Sequence, residues 1–101
     1  MESKKNILVV DDSALMRRLI SDIINSDERF QVSDLAMNGL EAFDFVTRDP
    51  KKYEAILLDI NMPKMNGIQF LEQLNKMKIR QKVIVVSTLA KEGAVETVRC
   101  L

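Results

Sequence analysis

Four short apolar runs alternate with helical patterns along the 101-residue sequence, and this alternation constrains the fold more than any other feature. The runs are residues 7–10, 30–35, 55–58 and 83–86. Three of them are continuously apolar, as expected for strands that a parallel sheet buries on both faces. Polar residues interrupt the run at 30–35, which predicts an edge strand. Strands and helices in alternation predict a doubly wound α/β sheet with right-handed crossovers.

The segments between the runs have the periodicity of helices that pack one apolar face against a sheet. The predicted inward-facing residues are Leu15, Met16, Leu19, Ile20, Ile23 and Ile24 in the first helix, Leu40, Phe43 and Val46 in the second, and Ile68, Leu71, Leu74 and Met77 in the third. A fourth helix is predicted from about Glu92, with Val95, Val98 and Leu101 in phase.

Composition excludes several classes of protein. With 47% apolar and 30% charged residues the chain is typical of globular domains, and its formal net charge of zero favours neither nucleic acid nor an anionic membrane surface. The absence of histidine removes His-based catalysis and the commonest zinc ligand. The single cysteine, Cys100, excludes an internal disulfide framework and indicates a reducing compartment, which we interpret as the cytoplasm.

Acidic residues follow two of the predicted strands. Asp11 and Asp12 follow the first run, and Asp59 follows the third. Because ligands bind outside the carboxyl ends of parallel strands, these carboxylates converge if the two strands are neighbours. Alternatively, Asp12 or Ser13 serves only as the N-cap of the first helix. A cap needs one carboxylate, whereas like charges about 5 Å apart repel by about 3 kcal/mol at an effective dielectric constant near 20.

Such a cluster requires a proton or a cation. Oxygen ligands without His or Cys indicate a hard cation, and no acidic loop has the spacing of a calcium site, so Mg²⁺ is the predicted ion. Mg²⁺ beside a carboxylate suits phosphoryl transfer, since the ion neutralises the transferring oxygens while the carboxylate attacks.

Three motifs, "VVDDS", "LLDINMPKMNG" and "VIVVST", occur in this order. Together they resemble the receiver domain of two-component response regulators, over residues 1–101. The resemblance implies a flavodoxin-like fold with strand order 2-1-3-4, and a domain that continues past Leu101 with a fifth strand and a last helix. Receivers carry a lysine and an aromatic switch residue on that fifth strand, and no residue of this sequence is assigned to either position.

The same resemblance implies roles for individual residues. Asp59 would accept a phosphoryl group from a histidine kinase. Asp12 and Asp59 would bind Mg²⁺ through their side chains and Asn61 through its backbone carbonyl, while Asp11 would act through water. The hydroxyl of Ser87 would turn toward the phosphoryl group.

The segments "VDDSALMRRLISDIIN" and "VSTLAKEGAVETVRCL" are similar to the receiver of chemotaxis protein-glutamate methylesterases. This similarity implies a chemotaxis-type kinase partner and a carboxy-terminal esterase domain that the receiver blocks until it is phosphorylated. The chain itself would be regulatory, and the full-length protein would be the enzyme. A stand-alone or DNA-binding response regulator is the alternative.

Two other classes fit the sequence less well. Phosphatases with an aspartyl nucleophile place a second Asp two residues after the first, where this sequence has Ser13 and Ala14. A flavodoxin-like binding module would have a Gly-rich phosphate loop after the first strand, which is absent. We also expect the chain to self-associate, through an exposed edge of the fourth strand and uncovered apolar surface.

Overall fold

A computed structural model of the chain describes residues 3–59, 66–87 and 97–100. The elements in these ranges are β1 (Lys5–Val10), α1 (Ala14–Asn25), β2 (Phe30–Ala36), α2 (Gly39–Arg48), β3 (Tyr53–Asp59), α3 (Gly67–Lys76), β4 (Val83–Ser87) and β5 (Thr97–Cys100). The sheet order is β2-β1-β3-β4-β5. The first four strands are parallel, which confirms the predicted 2-1-3-4 arrangement and places β2 at an edge.

The predicted fourth helix is wrong over Thr97–Cys100, which form β5 and pair antiparallel with β4. The β-branched residues Thr97 and Val98 favour extended backbone, and the edge of β4 presents backbone groups that a strand can pair. Apolar residues in phase over barely two turns are a weak helical signal by comparison. Because β5 pairs with β4, the expectation that β4 is an exposed edge is wrong as well.

The sheet is covered differently on its two faces. On one face, side chains of β1, β3 and β4 pack with Ala42 and Val46 of α2 and with Phe70 and Leu74 of α3. On the other face, Ile7, Val9 and Ala55 pack with partly buried residues of α1 that include Ile20 and Ile24. β1 and β3 therefore lie in the middle of the fold, with apolar residues buried on both sides.

The apolar face of α1 is broader than the surface that it covers. Ile20 and Ile24 pack on the sheet, but Leu15 and Ile23 are 66% and 70% exposed. Beside α1 lies a groove of about 380 Å³ whose apolar lining includes Ile7, Ile23, Phe30, Leu57 and Ile84. The predicted inward stripe is thus correct for only part of α1, because the described part of the chain supplies a single helix to this face.

The inward faces of the other two helices also differ from prediction. Val46 is buried as expected, whereas Leu40 is exposed. In α3 the buried side chains are Phe70 and Leu74, while Ile68 and Met77 are exposed. The prediction is correct for Leu74 and for the partly buried Leu71, but because apolar residues occur on more than one side of α3, periodicity alone missed Phe70.

Candidate functional site

The three helices of the described residues begin at the carboxyl edge of the parallel strands, each with a side-chain cap. The capping residues are Ser13 for α1, Asn38 for α2 and Asn66 for α3, and each side-chain oxygen accepts a hydrogen bond from the backbone N–H three residues on. Helix N-termini carry partial positive charge, so this edge of the sheet favours negatively charged groups.

The three aspartates are brought together at this edge. β1 and β3 are parallel neighbours with Val10 opposite Leu58, so Asp11 and Asp59 occupy adjacent positions at the strand ends. One carboxylate oxygen from each of Asp11, Asp12 and Asp59 lies within 4.8 Å of the others. Asp11 and Asp59 are only 1% and 3% exposed, and Asp12 is half-buried. The predicted convergence of the three side chains is therefore observed.

Of the two predicted candidates for the N-cap of α1, Ser13 is confirmed and Asp12 is wrong. Ser13 has extended backbone, and its Oγ accepts a hydrogen bond from the Met16 N–H at 3.2 Å. Oδ1 of Asp11 accepts the N–H of Ser13 at 2.9 Å, which fixes the turn between β1 and α1. Because Ser13 caps the helix, the carboxylate of Asp12 is not needed as the cap.

The environment of Asp11 disfavours a negative charge. The pKa of Asp11 is raised to about 6: burial is the largest cause and the nearby carboxylates of Asp59 and Asp12 add to it, while the Ser13 N–H and the Arg17 guanidinium oppose it. Its Oδ2 atom is buried and has no hydrogen-bond partner among the described residues. A buried carboxylate oxygen of this kind, facing two like charges, fits a cation ligand.

The donor set also fits a hard cation. The ligand atoms are carboxylate oxygens alone, and the sequence has no histidine to offer. Carboxylate oxygen suits a divalent ion such as Mg²⁺ or Ca²⁺ better than zinc or copper. Chemically, the arrangement can hold such an ion, or it can share a proton among the three carboxylates.

Two further predicted site residues are described less fully. Asn61 lies outside the described residues. Ser87 is the last residue of β4, which pairs with β3 through Asp59 and Val86, so its backbone lies at the same edge of the sheet.

Sequence reasoning missed Arg17. Its Nη1 donates a hydrogen bond to the backbone carbonyl of Asp11 at 2.8 Å. The available signal was an arginine in the first turn of α1, where the helix dipole disfavours a cation.

Comparison with known proteins identifies the class of protein to which the chain belongs. Residues 7–101 match the family model described as the response regulator receiver domain. The chain therefore belongs to this family and is a receiver domain of a two-component response regulator. Among the described residues, no helix combines the length and apolar character needed to cross a bilayer.

Individual relatives show which members of the receiver family the chain resembles. The chain is 46% identical over 95 residues to a protein-glutamate methylesterase/protein-glutamine glutaminase of Treponema pallidum, a match that covers 94% of the chain and 23% of that protein. It resembles the crystal structure of the response regulator domain of Thermotoga maritima CheB, with a TM-score of 0.75 and 41% identity over 92% of the chain and 67% of that structure.

A second structure, the CheX-CheY-BeF3-Mg²⁺ complex of Borrelia burgdorferi, matches with a TM-score of 0.77 and 35% identity over 87% of the chain and 65% of that structure. The chain thus spans about a quarter of the curated methylesterase that it matches. The predicted similarity to methylesterase receivers is confirmed at the level of the receiver domain.

The raised pKa of Asp11 predicts a pH-dependent effect of Asp11→Asn in metal-free buffer with chelator. A carboxyl whose folded pKa lies above its unfolded value of 3.8 stabilises the fold below about pH 4, and this contribution is lost as pH rises through 6. Asn keeps an oxygen for the Ser13 N–H but carries no charge. We therefore expect the free energy of unfolding of Asp11→Asn minus that of the unsubstituted chain to increase between pH 4 and pH 8. The increase should be at most about 3 kcal/mol.

Urea unfolding at each pH measures this difference. Asp22→Asn, at an exposed position of α1, is the matched control and should follow the unsubstituted chain. Parallel pH profiles for Asp11→Asn and the unsubstituted chain would show that Asp11 is not electrostatically strained.

Proposed function

We propose that this receiver accepts a phosphoryl group on Asp59 from a histidine kinase, with Mg²⁺ held by Asp11, Asp12, Asp59 and the backbone carbonyl of Asn61. The observation that carries the proposal is the convergence of three carboxylates within 4.8 Å at the carboxyl edge of the sheet. A receiver-family chain with this cluster, and with no histidine of its own, has the parts for carboxylate phosphorylation.

The geometry supports a division of roles among the carboxylates. Asp11 and Asp12 come from one turn, and Oδ1 of Asp11 is already bonded to the Ser13 N–H. Asp59 faces them from the neighbouring strand. In the proposed reaction a carboxylate oxygen of Asp59 forms the new O–P bond while the P–N bond of a phosphohistidine breaks, and its electron pair stays with the imidazole nitrogen.

The product places more negative charge at a buried position. Phosphorylation replaces one negative charge on Asp59 by about two. Bound Mg²⁺ would neutralise part of this charge, and the N-termini of the capped helices favour the rest. We assign to Ser87 a hydroxyl donor for the phosphoryl oxygens, since its backbone ends β4 beside β3. The similar Borrelia CheY, seen with BeF3 and Mg²⁺, supports this choice of ion.

The output that this receiver controls is also a proposal. The Treponema relative is a methylesterase about four times as long as the match, and the Thermotoga neighbour is a CheB response regulator domain. We infer that the chain belongs to a longer cytoplasmic protein in which it regulates a chemotaxis receptor methylesterase in response to a chemotaxis-type kinase. The alternative is a DNA-binding or stand-alone response regulator. The identity of the output domain in the longer protein would distinguish this alternative from a methylesterase.

The central test is Asp59→Asn in the intact protein that contains this chain. Because an amide is a poor nucleophile and cannot form the acyl phosphate, we expect incorporation of label from radioactive acetyl phosphate to be abolished. Asp22→Asn is the control for loss of an aspartate elsewhere and should label normally. Label retained by Asp59→Asn at the usual stoichiometry would refute the assignment of the phosphoacceptor.

We also propose that the 101-residue chain associates with a second copy through the groove beside α1. The exposed Ile23 of α1 lines it, and the lining carries both signs of charge, with Lys5 and Lys82 beside Asp27 and Glu54. A two-fold contact can bring charges of opposite sign from the two copies together, and the zero net charge gives little repulsion between copies.

Sedimentation velocity over a range of concentrations tests the association. Ile23→Glu places a charge in the groove, so we expect it to weaken association by at least about tenfold. Met77→Glu introduces the same charge at an exposed position on the opposite side of the sheet and should have little effect. A monomeric unsubstituted chain at high concentration, or equal effects of both substitutions, would contradict the proposal.

A further inference from the structure

The side chain of Arg17 reaches back from the first turn of α1 to the end of β1. Helical side chains tilt toward the helix N-terminus, which makes this contact possible. Arg17 is half-buried, and its Nη1 donates to the carbonyl oxygen of Asp11 at 2.8 Å. The neighbouring Arg18 is exposed. The two adjacent arginines therefore differ in their surroundings. Among the hydrogen bonds of the described residues, Arg17 contacts the Asp11–Asp12 turn and Arg18 does not.

The hydrogen bond completes a set of three that hold Asp11. Its N–H donates to the carbonyl of Ala36 on β2 at 3.1 Å, and its Oδ1 accepts the N–H of Ser13. The Arg17 contact fixes the remaining backbone group, the carbonyl. A peptide unit is planar, so fixing the carbonyl of Asp11 also fixes the N–H and Cα of Asp12.

We propose that Arg17 is a positioning residue for the cation site, acting by holding the Asp11–Asp12 peptide so that the Asp12 carboxylate faces Asp11 and Asp59. The inference rests on the proposed function, because it concerns the same three carboxylates. Partners that orient ligands in this way commonly change metal affinity by about 10–100-fold when they are removed.

Charge alone would have the opposite effect. A guanidinium is always protonated, and it repels a divalent cation, so its removal would strengthen cation binding if charge were its only influence. Loss of the hydrogen bond instead frees the peptide and weakens binding. The direction of the change therefore distinguishes positioning from simple electrostatics.

The experiment titrates MgCl₂ into ¹⁵N-labelled chains and follows the backbone amide resonances around Asp12. We expect Arg17→Met to bind Mg²⁺ about tenfold more weakly than the unsubstituted chain, and Arg17→Lys to recover part of the loss because an ammonium can still donate to the carbonyl. Arg18→Met removes the same charge from the same helix and should bind as the unsubstituted chain does.

A second measurement needs no metal. In metal-free buffer, the amide resonances of Asp12 and Ser13 should shift or broaden in Arg17→Met and stay unchanged in Arg18→Met, because only the former releases the peptide. Thermal unfolding of each variant identifies any general loss of fold, and the titrations are performed well below the lowest midpoint.

The outcomes separate the two proposals. Equal or tighter Mg²⁺ binding by Arg17→Met, with binding retained by the unsubstituted chain, would overturn the positioning role and leave the metal site standing. No Mg²⁺ binding by the unsubstituted chain would overturn the proposed metal site and this inference with it.

Discussion

The parallel pairing of β1 with β3 is the constraint on which the rest of the site depends. It puts Asp11 beside Asp59 at one edge of the sheet, although the two are far apart in sequence. Apolar packing on both faces holds the two strands, so the carboxylates do not determine their own separation. Left to themselves, like charges would move apart. The core therefore imposes a proximity that the site could not maintain alone.

This proximity opposes stability. Asp11 is buried, its pKa is raised to about 6, and one of its oxygens has no hydrogen-bond partner in the described part of the chain. Groups in such surroundings reduce the stability of a fold, and proteins retain them chiefly where function requires them. The Ser13 N–H and the helix N-termini offset part of the repulsion without removing it. A bound cation would offset the repulsion that remains. The close approach of the carboxylates thus both reduces the stability of the fold and creates the proposed cation site.

The strands could be predicted from sequence because burial on both faces leaves a simple signal. Residues 7–10 and 55–58 are apolar throughout, and both proved to be central strands. That these two strands are neighbours, on which the meeting of Asp11 with Asp59 depends, was implied by the family resemblance and not by the apolar runs. Helix faces were harder to predict. Leu15 and Phe70 are both apolar, but whether each is buried depends on which elements cover that side of the sheet. Periodicity carries no information about neighbours that come from distant parts of the chain.

The same limitation explains the error at Thr97–Cys100. Val98 fits a helical phase, but its segment pairs with β4. Strand pairing depends on tertiary contacts, which the local sequence pattern does not determine. Arg17 was missed for a different reason. A hydrogen bond from a side chain to a backbone carbonyl leaves no trace in residue type at the receiving position, since every residue has that carbonyl.

The first turn of α1 shows how these requirements are met together. Ser13 caps the helix, so neither neighbouring aspartate is needed for that task. Arg17 places a cation where the helix dipole disfavours one, and its bond to the Asp11 carbonyl gives a reason for that position. A guanidinium and a helix N-terminus close to the carboxylates also make this edge more attractive to an anion, such as the phosphoryl group of the proposed reaction. Holding the proposed metal ligands in place and attracting the proposed phosphoryl donor would thus be compatible roles for one short turn.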